Sequence, residues 1–157
     1  MTSETLAYFT LGGLAIALLV SIYTDIRYRL IYNVITLGIA LSAPLFWLAT
    51  GGFSVSEIGI HLVTATVTLT FFATAFHFGA MGGGDVKLFS ALALWFHWIE
   101  VIRLILYASI IGALVTIIFL VIFKLKKRNG RARIPYGVAI SLSGLWIVGE
   151  RFFNHFA

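Results

Sequence analysis

Residues Leu104–Phe123 read LILYASIIGALVTIIFLVIF, a run with no charged side chain. A helix needs about 20 predominantly apolar residues to span the ~30 Å hydrocarbon core of a bilayer, so this run is long enough to cross once. Because lipid offers no hydrogen-bond partner to an exposed backbone, an open sheet is excluded. Five further apolar segments share this character: Leu6–Thr24, Val34–Ala49, Ile58–Phe78, Val86–Trp98 and Pro135–Gly149. We therefore predict an all-α, polytopic membrane protein, a bundle of six transmembrane helices.

The composition agrees with this fold class. Of 157 residues, 61% are hydrophobic and 11% are charged, and the mean hydropathy is +1.03. No Pro/Gly/Ser-rich linker or repeat divides the chain, so we predict a single domain over residues 1–157. The net charge of +5 does not indicate a nucleic-acid partner, because the basic residues border apolar segments instead of forming a groove with aromatic platforms. The absence of cysteine excludes a thiol nucleophile and a cysteine-based zinc site.

The basic residues concentrate on alternate connections between the six segments. The first, third and fifth connections carry nine of the eleven, namely Arg27, Arg29, Lys87, Lys124, Lys126, Lys127, Arg128, Arg131 and Arg133. The positive-inside rule makes that face cytoplasmic. The opposite face carries all four glutamates, Glu4, Glu57, Glu100 and Glu150. We therefore predict both termini outside the cytoplasm, and we expect the stretch Lys124–Arg133 to anchor the topology and to bind anionic lipids.

A glycine run followed by an aspartate precedes the shortest apolar segment. Residues Gly82–Asp85 read GGGD, and the segment Val86–Trp98 after them covers about 20 Å of a ~30 Å core at ~1.5 Å per residue. We therefore expect Gly79–Gly84 to enter the bilayer as irregular backbone that faces protein or water. Asp25 ends the first apolar segment. The topology places Asp25 and Asp85 on the same, cytoplasmic face.

Two aspartates on one face of a helical bundle are a candidate catalytic pair. Carboxyl groups that approach closely share a proton, so that one member activates a water and the other protonates a scissile carbonyl. Asp25 and Asp85 are our candidates for such a pair, which hydrolyses a peptide bond without a metal or cofactor. We predict Gly82 and Gly84 as hinge positions, because glycine permits positive φ and close approach of an extended peptide.

Other interpretations of the aspartates stay open. Asp85 is also suited to capping the fourth helix, and Asp25 to pairing at the interface with Arg27 or Arg29. Acidic residues in membrane helices also mark ion routes, so a small proton- or cation-conducting protein is one alternative. A non-catalytic assembly subunit is another. The shared face of the aspartates argues against conduction, because a conduction route needs polar groups distributed through the membrane depth.

Three short motifs resemble those of the prepilin peptidases, the type IV leader peptidases among the GxGD aspartyl proteases. Residues 24–33, TDIRYRLIYN, are similar to the family's first aspartate motif, of the type D-x-R-x-x-x-I-P-N, with Tyr32 in place of the usual proline. Residues 82–88, GGGDVKL, resemble the G-x-G-D-x-K-L motif that carries the second aspartate. Residues 134–137, IPYG, resemble a third motif at the head of the last helix. The small size is similar to the compact enzymes of tight-adherence (Flp) pilus systems.

The resemblance implies an activity, a partner and a location. Family members cut the basic leader from a prepilin or pseudopilin at the cytoplasmic face of the bacterial or archaeal membrane, just before the hydrophobic helix of the substrate. The resemblance assigns the two catalytic positions to Asp25 and Asp85 and implies no cofactor. Larger relatives also methylate the new N-terminus, using a cytoplasmic region with four zinc-binding cysteines. Since this chain has no cysteine, we expect a peptidase without N-methyltransferase activity.

The remaining motif residues are supporting candidates. Lys87 is placed to steer substrate or neutralise a carboxylate, or simply to snorkel to the interface. Asn33 and Pro135 stand at predicted helix starts. Tyr136 is suited to hydrogen-bonding the aspartates or to an interfacial aromatic belt. We expect no metal site, because the spacing of a two-ligand helical site is missing from the four histidines, His61, His77, His97 and His155.

Overall fold

The computed structural model describes residues 3–51, 53–125 and 134–154, and in these the chain forms six helices. The helices are α1 (Ser3–Tyr28), α2 (Asn33–Ala49), α3 (Val55–His77), α4 (Gly83–Ala93), α5 (Trp98–Leu125) and α6 (Tyr136–Asn154). Each helix overlaps with one predicted apolar segment, so the all-α class is confirmed. The stretch Lys124–Arg133 is predicted to anchor the topology. Its residues 126–133 lie outside the described part of the chain.

Three of the helices are long and apolar enough to cross a membrane. They are α1 with 26 residues, α3 with 23 and the 25-residue part Trp98–Ile122 of α5. Large apolar side chains on their outer surfaces are exposed, including Ile16, Val63 and Ile117. Soluble monomers rarely leave contiguous apolar surfaces of this kind uncovered. The helices α2, α4 and α6 have 17, 11 and 19 residues, so the prediction of six spans stays a prediction.

The shortest helix lies at the centre of the bundle. α4 packs against α2, α3, α5 and α6, while α1 packs against α2 and α6. Leu88, Phe89 and Leu92 of α4 are almost completely buried, and Phe89 stacks on Phe72 of α3 with ring centroids 4.3 Å apart. Complete burial of a side chain of this size contributes about 1.5–3 kcal/mol. Packing on every side therefore fixes the position of Asp85, which lies in the first turn of α4.

α4 begins earlier than the hydropathy pattern predicts. The hydropathy pattern predicts irregular backbone for the glycine run up to Gly84, whereas the helix begins at Gly83. Gly82 is extended with φ −77°, and positive φ among the described glycines occurs only at Gly51 and Gly79. The predicted use of positive φ at Gly82 and Gly84 is therefore wrong. Both glycines instead make close contacts, described below.

α4 also ends earlier than predicted, at Ala93, although the sequence beyond it stays apolar. Trp95 follows in a turn and is completely buried. Its Nε1 donates to the carbonyl of Ile39 at 2.7 Å, and Nε1 of Trp47 donates to the carbonyl of Leu94 at 2.9 Å. A buried donor without a partner costs about 1–3 kcal/mol. These two bonds therefore tie the α4–α5 turn to α2.

The connections divide the bundle into two ends. We call the end that carries Asp25 and Asp85 the aspartate end; there α1, α3 and α5 finish and α2, α4 and α6 begin. At the opposite end, which we call the glutamate end, Arg103 lies 2.5 Å from Glu150. There, Nε of Arg151 also donates to Glu100 at 2.9 Å. These pairs explain the two arginines that the sequence places outside the basic connections.

Candidate active site

Asp25 lies near the end of α1 and is only 6% exposed. Its Oδ2 accepts the backbone N–H of Val138 at 3.1 Å, and the backbone of Gly137 also hydrogen-bonds the carboxyl group. Both N–H groups belong to the first turn of α6, where a helix has no internal acceptor for them. The positive end of the helix dipole favours an anion at the same place. A carboxylate from α1 thus caps α6, which allows its burial.

The approach of Asp25 to α6 requires glycine at position 137. A Cβ atom at Gly137 would lie 2.9 Å from Oδ2 of Asp25 and 2.6 Å from Cδ1 of Ile31. Separations this short force something to move. The last residue of the IPYG motif therefore makes room for the carboxyl group, a role that the sequence analysis did not recognise.

Asp85 is the third residue of α4 and closes the start of its own helix. The N-cap residue, Gly82, has no side chain to cap the helix, and its backbone hydrogen-bonds the Asp85 carboxyl group. The acidic residue of a capping box makes the same bond. A Cβ atom at Gly82 would lie 2.9 Å from Oδ2 of Asp85. The geometry agrees with the interpretation of Asp85 as a helix cap. Glycine at position 82 leaves room for the Asp85 carboxyl group, which lies close to the backbone there.

The two carboxyl groups influence each other. Asp85 lies in α4, which is not one of the three helices that are long and apolar enough to cross a membrane. Burial and, next, the negative charge of Asp25 raise the pKa of Asp85 to about 7, and the hydrogen bond with the Gly82 backbone opposes the rise. No salt bridge within residues 3–51, 53–125 and 134–154 involves either aspartate. Near neutral pH, the arrangement therefore favours a pair that retains a proton.

Ile31 packs against both helix starts. The side chain is almost completely buried and contacts Gly137, as described above. A Cβ atom at Gly84 would lie 3.2 Å from Cβ of the same isoleucine. Gly84, which we predict as a hinge position, thus lies inside α4 and packs closely against Ile31. The Ile31 side chain therefore sets the spacing between the first turns of α4 and α6. The first turn of α4 carries Asp85, and the first turn of α6 hydrogen-bonds Asp25.

Arg29 follows α1 in an unusual conformation. Its φ of +56° is the only positive value among the described non-glycine residues. The guanidinium stacks on the ring of Phe119 in α5 at 4.5 Å, and its positive charge stabilises the Asp25 carboxylate. The described residues include no ion pair of Asp25 with Arg27 or Arg29. No direct contact among the described residues therefore supports the interpretation of Asp25 as half of an ion pair at the membrane interface.

Lys87 contacts an amide and neither carboxyl group. Its Nζ donates to Oδ1 of Asn33 at 2.9 Å and so connects α4 to the first residue of α2. The residue before α2, Tyr32, has φ −72°, which is close to the value that a proline ring imposes. Tyr32 thus adopts a backbone φ that a proline would also have, and α2 begins directly after it at Asn33.

Pro135 and Tyr136 shape the start of α6. Pro135 is almost completely buried directly before the helix. A Cβ atom at Gly112 of α5 would lie 2.8 Å from Cζ of Tyr136, so the tyrosine ring packs on α5. Among the described residues no hydrogen bond joins Tyr136 to an aspartate. The structure therefore gives Tyr136 a packing role.

Two histidines that are distant in sequence, His61 and His97, lie close together at the glutamate end. The ring centroids of His61 in α3 and His97 in the α4–α5 turn are 6.4 Å apart. Sequence spacing along one helix does not detect a pair that two elements contribute. The described ranges contain no group of three or more His, Asp or Glu residues that could hold a metal ion.

An apolar helical bundle that holds one buried and one half-buried aspartate against helix starts has the features of a membrane protein with a candidate aspartyl site. The family model described as the type IV leader peptidase family matches residues 13–117, a range that includes Asp25 and Asp85. The match covers more than half of the chain. The chain therefore belongs to the type IV leader peptidase family.

Curated relatives carry the name prepilin leader peptidase/N-methyltransferase. The protein from Legionella pneumophila is 30% identical over 140 residues, which are 84% of this chain and 47% of the relative. The protein from Pectobacterium carotovorum subsp. carotovorum is 27% identical over 133 residues, 82% of this chain and 47% of the relative. This chain thus spans about half the length of the relatives it matches. No solved structure matches it.

Proposed function

We propose that the chain is an aspartyl endopeptidase that removes the leader peptide from prepilin-like substrates, with Asp25 and Asp85 as its catalytic pair. The observation that carries the proposal is the position of the two motif aspartates. Residues 60 positions apart in sequence lie near enough for the charge of one to shift the pKa of the other. Membership of the type IV leader peptidase family and the names of the relatives support leader processing as the reaction.

The contacts of the two aspartates support different roles in the reaction. Asp25 accepts backbone N–H bonds at the start of α6 and lies near the charge of Arg29, and both offset part of the cost of burying its carboxylate. Among the described residues, Asp85 has only the bond with the Gly82 backbone to offset burial and also faces the charge of Asp25, so we assign the role of general base to Asp25. Asp85, whose pKa is raised to about 7, retains its proton near neutral pH and is the general acid.

The reaction then needs only a water and the peptide. Asp25 takes a proton from the water, the water oxygen forms a bond to the scissile carbonyl carbon, and Asp85 gives its proton to the carbonyl oxygen. Collapse of the tetrahedral intermediate breaks the C–N bond, the leaving nitrogen takes the proton held by Asp25, and Asp85 regains its own from the collapsing hydroxyl.

The side-chain hydroxyls in the middle of the helices favour hydrolysis over ion conduction. Thr66, Thr68 and Thr70 of α3 each donate to a carbonyl four residues earlier in the same helix. Ser109 and Thr116 of α5 do the same. Hydroxyls committed in this way to their own helix do not form a continuous polar route between the two ends. Within the described helices, these hydroxyls therefore provide no polar route that leads from Asp25 and Asp85 to the other end.

The proposal includes six membrane spans, with the aspartate end at the cytoplasmic face of a bacterial or archaeal cytoplasmic membrane and both termini outside. The distribution of basic residues and the ion-paired glutamate end support this orientation. Two single-cysteine variants at exposed positions test it, since the chain has no cysteine of its own. Lys124→Cys should react with an impermeant maleimide only from the cytoplasm and Val55→Cys only from outside. Labelling of both from one side would contradict the six-span arrangement.

The activity is tested with purified protein in lipid and a synthetic prepilin segment that includes leader and hydrophobic helix. Leader removal is followed by mass spectrometry. We expect Asp25→Asn and Asp85→Asn each to lower the rate by about 10²–10⁴-fold, the usual contribution of a general acid or base. Glu4→Gln, which removes an exposed acid at the other end, is the matched control. A folded Asn variant that cleaves at the rate of the control would overturn the catalytic assignment.

A further inference from the structure

A cavity of about 420 Å³ opens at the glutamate end, between α2, α3, the α4–α5 turn and α6. Its volume lies in the range of about 300–1,000 Å³ that small-molecule sites occupy. The lining combines aromatic, imidazole and charged side chains, chiefly Phe46, Trp47, Trp95, Glu57, His61, His97 and Arg151. It lies at the opposite end of the bundle from Asp25 and Asp85, so the proposed peptidase reaction does not use it.

His61, which lines this cavity, has a buried ring nitrogen without a hydrogen-bond partner among the described residues. The residue is 9% exposed, and its Nδ1 is fully buried with no hydrogen-bond partner among the described residues. The backbone of Phe96 hydrogen-bonds the imidazole, and we assign this bond to the other nitrogen, Nε2–H, donating to the Phe96 carbonyl. A neutral imidazole that donates from Nε2 carries a lone pair on Nδ1. Because a buried polar atom without a partner costs about 1–3 kcal/mol, a donor in the cavity would stabilise the protein.

The charges that line the cavity favour a cationic donor. Glu57 lies one helical turn before His61 on the same face of α3, and no basic side chain pairs with it within the described residues. The positive charge at the cavity, Arg151, is already committed to Glu100 and stacks on Phe46 at 5.3 Å. The charge left without a partner is therefore negative.

The aromatic walls favour the same ligand. Phe46 and Trp95 stack with centroids 5.1 Å apart, and Trp47 stacks on His61 at the same distance. The indole N–H groups of both tryptophans are satisfied by carbonyl groups, which holds the rings in place. The negative faces of aromatic rings attract ammonium groups by about 0.5–2 kcal/mol.

We propose that this cavity is a binding site for a primary ammonium group. The three N–H donors of such a group match the Nδ1 lone pair of His61 and the carboxylate of Glu57, and its charge is stabilised by the ring of Trp47 at the cavity wall. The ligand is either the ethanolamine headgroup of a phospholipid or a small free amine. The site is independent of the proposed peptidase function.

The test uses the full chain in nanodiscs of phosphatidylcholine, titrated at constant ionic strength with ethylammonium or tetramethylammonium chloride. Tryptophan fluorescence reports occupancy, because two tryptophans line the cavity. We expect saturable binding of ethylammonium and at least about tenfold weaker binding of tetramethylammonium, which has the charge but no N–H donor. Equal affinities, or no binding of ethylammonium, would overturn the proposal.

Two variants locate the ligand. His61→Phe keeps a ring against Trp47 but removes the acceptor, and Glu57→Gln removes the charge; each should weaken ethylammonium binding by about tenfold or more. His77→Phe, at an exposed position in the same helix, is the matched control and should bind like the parent. Unchanged binding by both cavity variants would refute the site. Competition by phosphatidylethanolamine added to the nanodiscs assigns the lipid headgroup as the ligand, and ethylammonium binding without such competition assigns a free amine.

Discussion

The two ends of the bundle hold their carboxyl groups in different ways. At the glutamate end, Arg103 and Arg151 neutralise Glu150 and Glu100 in ion pairs. At the aspartate end, backbone N–H groups at two helix starts hold Asp25 and Asp85. A guanidinium partner keeps a carboxylate ionised, whereas two neighbouring carboxyl groups held by neutral donors retain a proton that can be exchanged. One end therefore supplies fixed charges, and the other holds the two carboxyl groups that we propose as a proton-sharing pair.

The largest effect in this comparison is expected from Gly137→Ala. The added Cβ would meet Asp25 Oδ2 and Ile31 Cδ1, so we expect a loss of about 1–3 kcal/mol of stability and at least a tenfold loss of cleavage. Adding Ile31→Val removes the Cδ1 atom and should restore part of the stability but not the cleavage rate. Thermal denaturation and leader removal are measured together.

The matched control for this substitution is Gly38→Ala, in α2. A Cβ atom at Gly38 has open space around it, so alanine there should be neutral or stabilising by up to about 1 kcal/mol. If the Gly137→Ala, Ile31→Val protein cleaved normally, the position of Asp25 against α6 would not matter for the reaction.

The comparison also predicts a pH dependence of stability, an effect that is separate from cleavage. The folded-state pKa of Asp85 is raised from 3.8 to about 7, so its stabilising contribution is complete below the unfolded pKa and is lost as the pH rises through 7. Each pH unit between the two values changes the free energy of unfolding by up to about 1.4 kcal/mol. Relative to Asp85→Asn, the parent should therefore lose thermal stability between pH 5 and pH 8. Parallel melting curves for the two proteins across this range would contradict the raised pKa.

The smallest effect is expected at the ion pair of Arg103 and Glu150. The two side chains are 39% and 33% exposed, so solvent screens their attraction. A double-mutant cycle with Arg103→Gln and Glu150→Gln should show only weak coupling between the two side chains in unfolding. Leader removal should be unchanged in all three variants. A loss of cleavage in the folded variants would mean that the glutamate end takes part in the reaction.

The helices could be predicted from hydropathy, but the limits of α4 could not. An apolar run reports burial, and Trp95 is buried in a turn where the helix has already ended. Glycine predicts flexibility, yet Gly83 and Gly84 are helical because the packing around α4 outweighs their low helix propensity. Tertiary contacts therefore decide both ends of this helix.

The two aspartates could be found from motifs, but the groups that hold them could not. The bonds to Asp25 come from backbone atoms of Val138 and Gly137, which carry no side-chain signal in the sequence. The IPYG motif pointed to the right segment, and the close contact that requires its glycine depends on the packing of α1 against α6. Likewise, the pairing of Arg103 with Glu150 joins positions 47 residues apart on different helices.

The packing of Ile31 has a consequence for how this sequence can evolve. Its side chain occupies the volume that a methyl group at position 84 or position 137 would need. In homologous chains, an alanine or serine at position 137 is therefore expected to appear together with a residue at position 31 that lacks the Cδ1 atom. Positions 31 and 137 should consequently show correlated substitutions, and laboratory selection for restored folding stability after Gly137→Ala should recover changes at Ile31 before changes elsewhere.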